Sequence, residues 1–234
     1  MAIKGRRHGV VGKLLRCVFY GALIAGFTLA GLVLLEAVVP PVSTLMLART
    51  VQGEGYERDY VPLKAIAPVA VAAVIASEDA RFCRHHGVDW GALHEVMAEA
   101  DEDGPSRGAS TITMQTAKNL FLWPSRSAIR KGLEIGVALG LDEVWPKRRI
   151  IEVYLNIAEW GDGIFGIEAA ARHYFGKSAS RLDAREGALL ATALPNPIRR
   201  NPSHPSAIQR RLAANLMVRA RDSEPWLDCL PGTR

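Results

Sequence analysis

Between Cys17 and Leu35 the chain runs for 19 residues without a charged side chain, closing at Glu36. A helix of about 20 apolar residues crosses the hydrocarbon of a bilayer, so this stretch is long enough to span one. Lys4, Arg6, Arg7, Lys13 and Arg16 precede it with no acid among residues 1–16, and no basic residue follows closely. That asymmetry places the N-terminus in the cytoplasm and the rest outside. A cleaved signal peptide is the alternative, but it has a shorter apolar core, about 7–15 residues, and a small-x-small site. Neither Leu35-Glu36-Ala37 nor Val38-Val39-Pro40 supplies that site. The expectation is a retained single-pass anchor, as in a bacterial inner membrane, with the rest of the chain in the periplasm or its equivalent.

The anchor also disposes of the charge. The 234 residues hold 29 Lys+Arg and 24 Asp+Glu, a formal +5. Five of those basic residues lie before the anchor, leaving 24 basic against 24 acidic residues in the remainder. The basicity is a topology signal, and no nucleic-acid partner is expected. With 49% hydrophobic and 23% charged residues, intrinsic disorder is excluded. The length suits one medium domain with an appendage and leaves no room for a second large catalytic domain. Cys83 and Cys229 both fall outside the anchor, where a disulfide persists if it forms; the sequence leaves their pairing open. They make no CxxC or CxxH spacing, which argues against zinc.

The rest reads as helices. The expected organisation is a basic tail (1–16), an anchor (17–39), a flexible link (40–59), a helical domain (60–222) and a C-terminal tail (223–234). Helices are predicted over Lys64–Ser77, Trp90–Ala100 with Asp89 as cap, Ser110–Leu120, Arg126–Val144, Lys147–Asn156, Ile167–Phe175, Asp183–Leu194 and Ala207–Arg221. Asp101–Gly108 reads as a polar loop, and no run of alternating strands stands out. The fold class expected is mainly α.

Two patterns mislead. Gly161–Gly166 matches GxGxxG, yet the segment before it, Lys147–Asn156, has helical rather than strand periodicity, so a glycine turn is expected. His94-Glu95-Val96-Met97-Ala98 starts like HExxH but has Ala98 at the second ligand position.

Chemistry concentrates between Ser77 and Asn156. Glu78 and Asp79 end a long apolar segment, and a carboxylate partly desolvated there has a raised pKa suited to proton transfer. Phe82, His85 and His86 follow. Ser110, Thr111 and Gln115, with Lys118, gather hydroxyls and an amide at a helix start. Arg126, Arg130 and Glu134 fall four apart on one helical stripe with Lys131 beside them, an anion site edged by an acid. A base for an acceptor hydroxyl and fixed cations for a departing phosphate are what glycosyl transfer from a phosphate-activated donor needs.

Four ordered motifs carry a resemblance. They are Glu78-Asp79-Ala80-Arg81-Phe82-Cys83-Arg84-His85-His86-Gly87; Gly108 to Gln115; Arg130-Lys131-Gly132-Leu133-Glu134; and Lys147 to Asn156. A fifth region includes Gln209-Arg210-Arg211. The chain resembles the monofunctional peptidoglycan glycosyltransferases, glycosyltransferase family 51, from about residue 60 to 220, with Met114 where the family commonly has Gln.

The resemblance implies a lysozyme-like helical domain with a membrane-associated subdomain. It implies polymerisation of lipid II into glycan strands by inverting β-1,4 transfer, with release of undecaprenyl diphosphate. Glu78 is then the base, and Glu134 the second carboxylate at the donor end. Lys118, Arg126, Arg130 and Lys131 neutralise the diphosphate. Asp79, Phe82, His85, Ser110, Thr111, Gln115, Tyr154 and Asn156 complete the expected substrate-binding set. The sequence requires no cofactor; the family admits a divalent cation, Mg or Mn, at the diphosphate. Expected partners are lipid II, the growing strand, membrane lipid, and cell-wall synthesis or division proteins. No SxxK or KTG occurs, so no transpeptidase activity is expected. Two rivals stand beside this reading: a lytic transglycosylase or lysozyme, which has no use for a diphosphate cradle, and a non-catalytic membrane scaffold.

Overall fold

The computed structural model describes residues 4–99, 108–125, 127–223 and 227–230, with side chains from Gly12 onward. The chain forms two units, Met1–Val39 and Pro40–Arg234. The first holds helix α1 (Lys4–Glu36). Its Gly12–Glu36 stretch, 25 residues with mean hydropathy 2.2, is long and apolar enough to cross a membrane. Val18, Phe19, Ile24 and Phe27 are exposed on it, as befits a helix with no apolar face reserved for a protein core.

The second unit is mainly α, with nine α-helices among the described residues. Its N-terminal part departs from expectation. The link expected over 40–59 contains α2 (Thr44–Gln52), capped at Ser43, whose hydroxyl accepts from Met46 N, and closed by Gly53 in the left-handed region. Strand β1 (Glu57–Arg58) follows. The helix expected from Lys64 starts later: Leu63–Ala65 make only a 3-10 turn, and Pro68 disfavours helical backbone at Ala67, whose ψ is 127°. Pro68, whose missing N–H costs nothing in a first helical turn, opens α3 (Pro68–Glu78).

Every residue of α3 from Ala70 to Ala76 is buried, so its Ala/Val/Ile run forms the central core helix. After it come a 3-10 turn at Phe82–Arg84 and α4 (Trp90–Ala98), whose cap is Asp89 as expected. Of the polar loop expected at 101–108, residues 101–107 lie outside the described residues. Helix α5 (Ile112–Phe121) is capped by Thr111, not Ser110: the Thr111 hydroxyl accepts from Met114 N and donates to the Gly87 carbonyl at 2.6 Å. Helix α6 (Ala128–Val144) is capped by Ser127, and α7 (Lys147–Ile157) starts directly after Pro146.

The glycine-rich segment is a hairpin of β2 (Glu159–Gly161) and β3 (Ile164–Phe165), and β1 pairs parallel to β3 to give the order β1-β3-β2. This small sheet, with strands of two or three residues, was not anticipated from the sequence and leaves the unit mainly α, as expected. The turn itself follows a helix, as read from periodicity. Helices α8 (Ile167–Phe175), α9 (Ala184–Ala193) and α10 (Ala207–Ser223) complete the unit, α9 with the full capping box Asp183/Glu186.

Two packing groups position the site. Helices α3, α9 and α10 pack against one another, α9 so close to α3 that a Cβ on Gly187 would lie 2.8 Å from Ala70 Cα. Helix α5 packs on α6 and α7, and α2 docks on the end of α5 through Thr44, whose hydroxyl faces the Asn119 and Leu122 carbonyls. Trp123 and the α6 residues Ile129, Leu133, Leu139 and Val144 remain exposed. Cys83 and Cys229 form a disulfide across a sequence separation of 146, which ties the tail beyond α10 to the turn after α3. The question the sequence left open is answered by their Cα atoms standing 5.5 Å apart.

Candidate active site

Glu78 is the last residue of α3, and the core helix delivers its carboxylate to a solvent boundary. One oxygen accepts from Ser77 Oγ at 3.2 Å and the other from Gln115 Nε2 on α5 at 3.1 Å. Burial raises the Glu78 pKa; the Gln115 and Ser77 bonds work against that, the Asp79 charge adds to it, and the Lys118 charge opposes it. A carboxylate set this way is a stronger base than an exposed one.

Cavities lie on either side of this contact. The first, about 200 Å³, is bounded by Glu78, the Arg81–Asp89 ion pair (2.7 Å) and the segment from Gly108 to Thr111. The second, about 170 Å³, is bounded by Gln115, Lys118, Tyr154 and Glu159, with Leu45 and Phe165 among its apolar walls.

The other carboxylate is held differently. Glu134 is only 2% exposed on α6; one oxygen is bonded by Arg130 Nη1 and the other by Lys131 Nζ at 2.7 Å. Lys131 also donates to Ser110 Oγ at 2.7 Å, and Arg130 Nε to the Ser125 carbonyl at 2.6 Å, so the cluster is fastened to the loop before α5 and the loop before α6. Lys118, one turn beyond Gln115 on α5, feels the charges of Glu134, Arg130, Lys131 and Glu78; burial is the main reason its pKa is lowered. It thus bridges the two carboxylates electrostatically. Arg126, expected in the same cluster, lies outside the described residues.

Of the remaining expected residues, several build the frame. Asp79 is buried; its carboxylate accepts from Ile112 N at 3.0 Å and faces His85 Nε2 at 3.0 Å, which pins the start of α5 to the end of α3. Phe82 is 0% exposed in the core, with Lys147 Nζ 4.8 Å from its ring centre. Asn156 is likewise 0% exposed, its amide bonded to both backbone groups of Val61 and to the Glu152 carbonyl. Tyr154 is buried, but its hydroxyl reaches Gln115 Oε1 at 3.1 Å.

The structure therefore brings Glu78, Gln115, Lys118, Arg130, Lys131, Glu134 and Ser110 around one region, with Tyr154 behind it. It faces Phe82 and Asn156 into the core. Sequence reasoning missed Ser77, signalled only by its place beside Glu78, and the Arg81–Asp89 pair, of which Asp89 had been read as a cap alone. Among the described residues no three His, Cys, Asp or Glu side chains converge to hold a metal ion, and both Glu134 oxygens are already taken by cations. The donors among the described residues therefore do not by themselves form a protein-held divalent-cation site.

A single base beside a cation cluster is the equipment of an enzyme that deprotonates one substrate while holding an anionic group of another. A family model described as Transglycosylase matches residues 45–219, nearly the whole second unit. The chain is 53% identical over 211 residues to the biosynthetic peptidoglycan transglycosylase of Rhodospirillum centenum, covering 88% of this chain and 90% of that protein. The proteins of the same name from Rhizobium meliloti and Brucella suis are 51% and 55% identical, covering 91% and 82% of this chain and 90% and 86% of theirs. The chain belongs to the transglycosylase family and is a glycosyltransferase.

Proposed function

We propose that this enzyme polymerises lipid II into linear peptidoglycan strands. The observation that carries the reading is the placement of Glu78, with its raised pKa, on the wall of one cavity and bonded to Gln115 on the wall of a second, where Lys118 couples it to the Glu134–Arg130–Lys131 cluster. In the reaction Glu78 takes the proton from the acceptor GlcNAc 4-hydroxyl. That oxygen attacks the donor MurNAc anomeric carbon from the face opposite the diphosphate, forming the β-1,4 bond with inversion. The anomeric C–O bond breaks and its electron pair leaves with undecaprenyl diphosphate. Lys118, Arg130 and Lys131 meet the charge that grows on the leaving group, and Arg126 joins them by its position in the sequence. Glu134 holds Arg130 and Lys131 at fixed spacing, so the cations need no reorganisation when the charge develops.

The wider assignment follows the same reading. The N-terminal tail is cytoplasmic, α1 is a retained inner-membrane anchor and the second unit is periplasmic. The disulfide supports an oxidising compartment. The acceptor is the growing strand, membrane lipid meets the exposed apolar residues of α6, and cell-wall synthesis or division proteins are the expected protein partners. With no SxxK or KTG in these 234 residues, the product is uncrosslinked glycan.

Incubating the detergent-solubilised chain with labelled lipid II beside Glu78→Gln tests this. Lysozyme-sensitive polymer from the wild type alone is expected. Fragments released from preformed glycan instead of polymer would establish a lytic enzyme, and inactivity of a folded wild type in both assays would leave a scaffold.

A further inference from the structure

We infer that Tyr154 is a positioning residue for Glu78 that acts through Gln115: its hydroxyl donates to Gln115 Oε1 and so fixes which end of the amide meets the base. The inference rests on the proposed role of Glu78. A glutamine amide carries an acceptor on one side and two donors on the other, and half a turn about its last bond exchanges them. An ionised carboxylate only accepts. Gln115 therefore supports the working form of Glu78 in one orientation, with Nε2 at 3.1 Å from Glu78 and Oε1 turned away. In that orientation Oε1 needs a donor, and Tyr154 OH stands 3.1 Å from it.

The side-by-side packing of α5 and α7 creates this adjacency. Tyr154 is 1% exposed, so its ring cannot swing away without opening the core. Burial, reinforced by the Glu78 and Asp79 charges, holds its phenol well above the usual range, so it stays a donor throughout the working pH range.

Other groups facing Glu78 do not replace this control. Asp79 lies beside it, Lys118 faces it from α5, and Arg219 of α10 is spent on the Ala76 carbonyl. The buried run of α9, Gly187–Ala193, carries no charge. Across the first cavity Arg81 is already paired with Asp89. Ser77 supports the second carboxylate oxygen but has no contact with the amide.

The test is an NMR titration of Glu78 in the full detergent-solubilised chain, assigned by Glu78→Gln, alongside the pH profile of lipid II polymerisation. Tyr154→Phe frees the amide to turn. The Glu78 pKa should rise, the acid limb of the rate should move to higher pH, and kcat should fall about 3- to 30-fold with KM within about two-fold. Gln115→Met, which cannot donate, should raise the Glu78 pKa at least as far. The double variant should be no worse than Gln115→Met, because Tyr154 acts only through the amide.

An unmoved Glu78 titration in Tyr154→Phe overturns the inference; if that variant does not fold, an unmoved titration in Gln115→Met does so. An additive double variant overturns it too. A wild type that makes no polymer, or a Glu78→Gln variant that still makes it, defeats the polymerase reading instead, and the titration judges the relay by itself.

Discussion

The two carboxylates of the site sit one helix apart and are treated in opposite ways. Glu78 ends a neutral core helix, is bonded by a hydroxyl and an amide, and is left with a raised proton affinity. Glu134 is buried more deeply, yet both its oxygens are committed to cations. The contrast teaches that burial alone does not make a base. Neutral donors leave the Glu78 carboxylate able to take a proton, whereas at Glu134 a guanidinium and an ammonium occupy both oxygens and fasten it into an ion-paired cluster. Lys118 stands between the two, close enough to feel both.

Breaking the first half of this comparison should give the largest effect. Glu78→Gln should lower the polymerisation rate about 10²- to 10⁴-fold. Its melting temperature should be unchanged or raised. The folded pKa of Glu78 lies above its unfolded value, so its ionised form is destabilising at neutral pH, and the effect disappears below the unfolded pKa. A lowered melting temperature at pH 7 would show Glu78 to be structural. Glu134→Gln should behave in the opposite sense, costing about 3–5 kcal/mol in denaturant unfolding because Arg130 and Lys131 lose their shared partner. A variant as stable as the wild type would sink the cradle.

Smaller effects sharpen the contrast. Replacing Cys83 and Cys229 by Ser should cost about 2–5 kcal/mol, since the bond closes a loop of 146 residues in the unfolded chain. Gly187→Ala should cost about 1–3 kcal/mol by forcing α9 away from Ala70 behind Glu78, measured by thermal unfolding. The least conspicuous change concerns pH. Burial lowers the Lys118 pKa, so its charge, and the rate that depends on it, should be lost at a lower pH than for an exposed lysine. Lys118→Arg should remove that alkaline limb, because a guanidinium does not titrate there. Persistence of the limb would assign it elsewhere.

Much of this was legible in the sequence, for identifiable reasons. The anchor, the core helix α3 and the capped helices α4 and α9 carry strong local signals: an uncharged run, an Ala/Val/Ile block, and Asp caps. Glu78 was legible because it ends that apolar block, and Glu134 because it falls four residues from Arg130. Helix α2 was not, since nine residues between Pro41 and Gly53 look like a link, and its amphipathic pattern means little without α5 to dock on. Strands of two or three residues are too short to show alternation. The frame roles of Asp79 and Asn156 were hidden for another reason. Asp79 bonds to Ile112 across 33 residues and Asn156 to Val61 across 95, and no local pattern reports such pairings.

The most direct test of the division of labour is to measure lipid II binding and turnover in one preparation of Glu78→Gln. If Glu78 only moves a proton while the Glu134 cluster and Lys118 hold the donor, Kd should stay within about three-fold of the wild type while turnover falls by about 100-fold or more. Turnover within about ten-fold of the wild type, or loss of binding in a folded Glu78→Gln, would contradict the account.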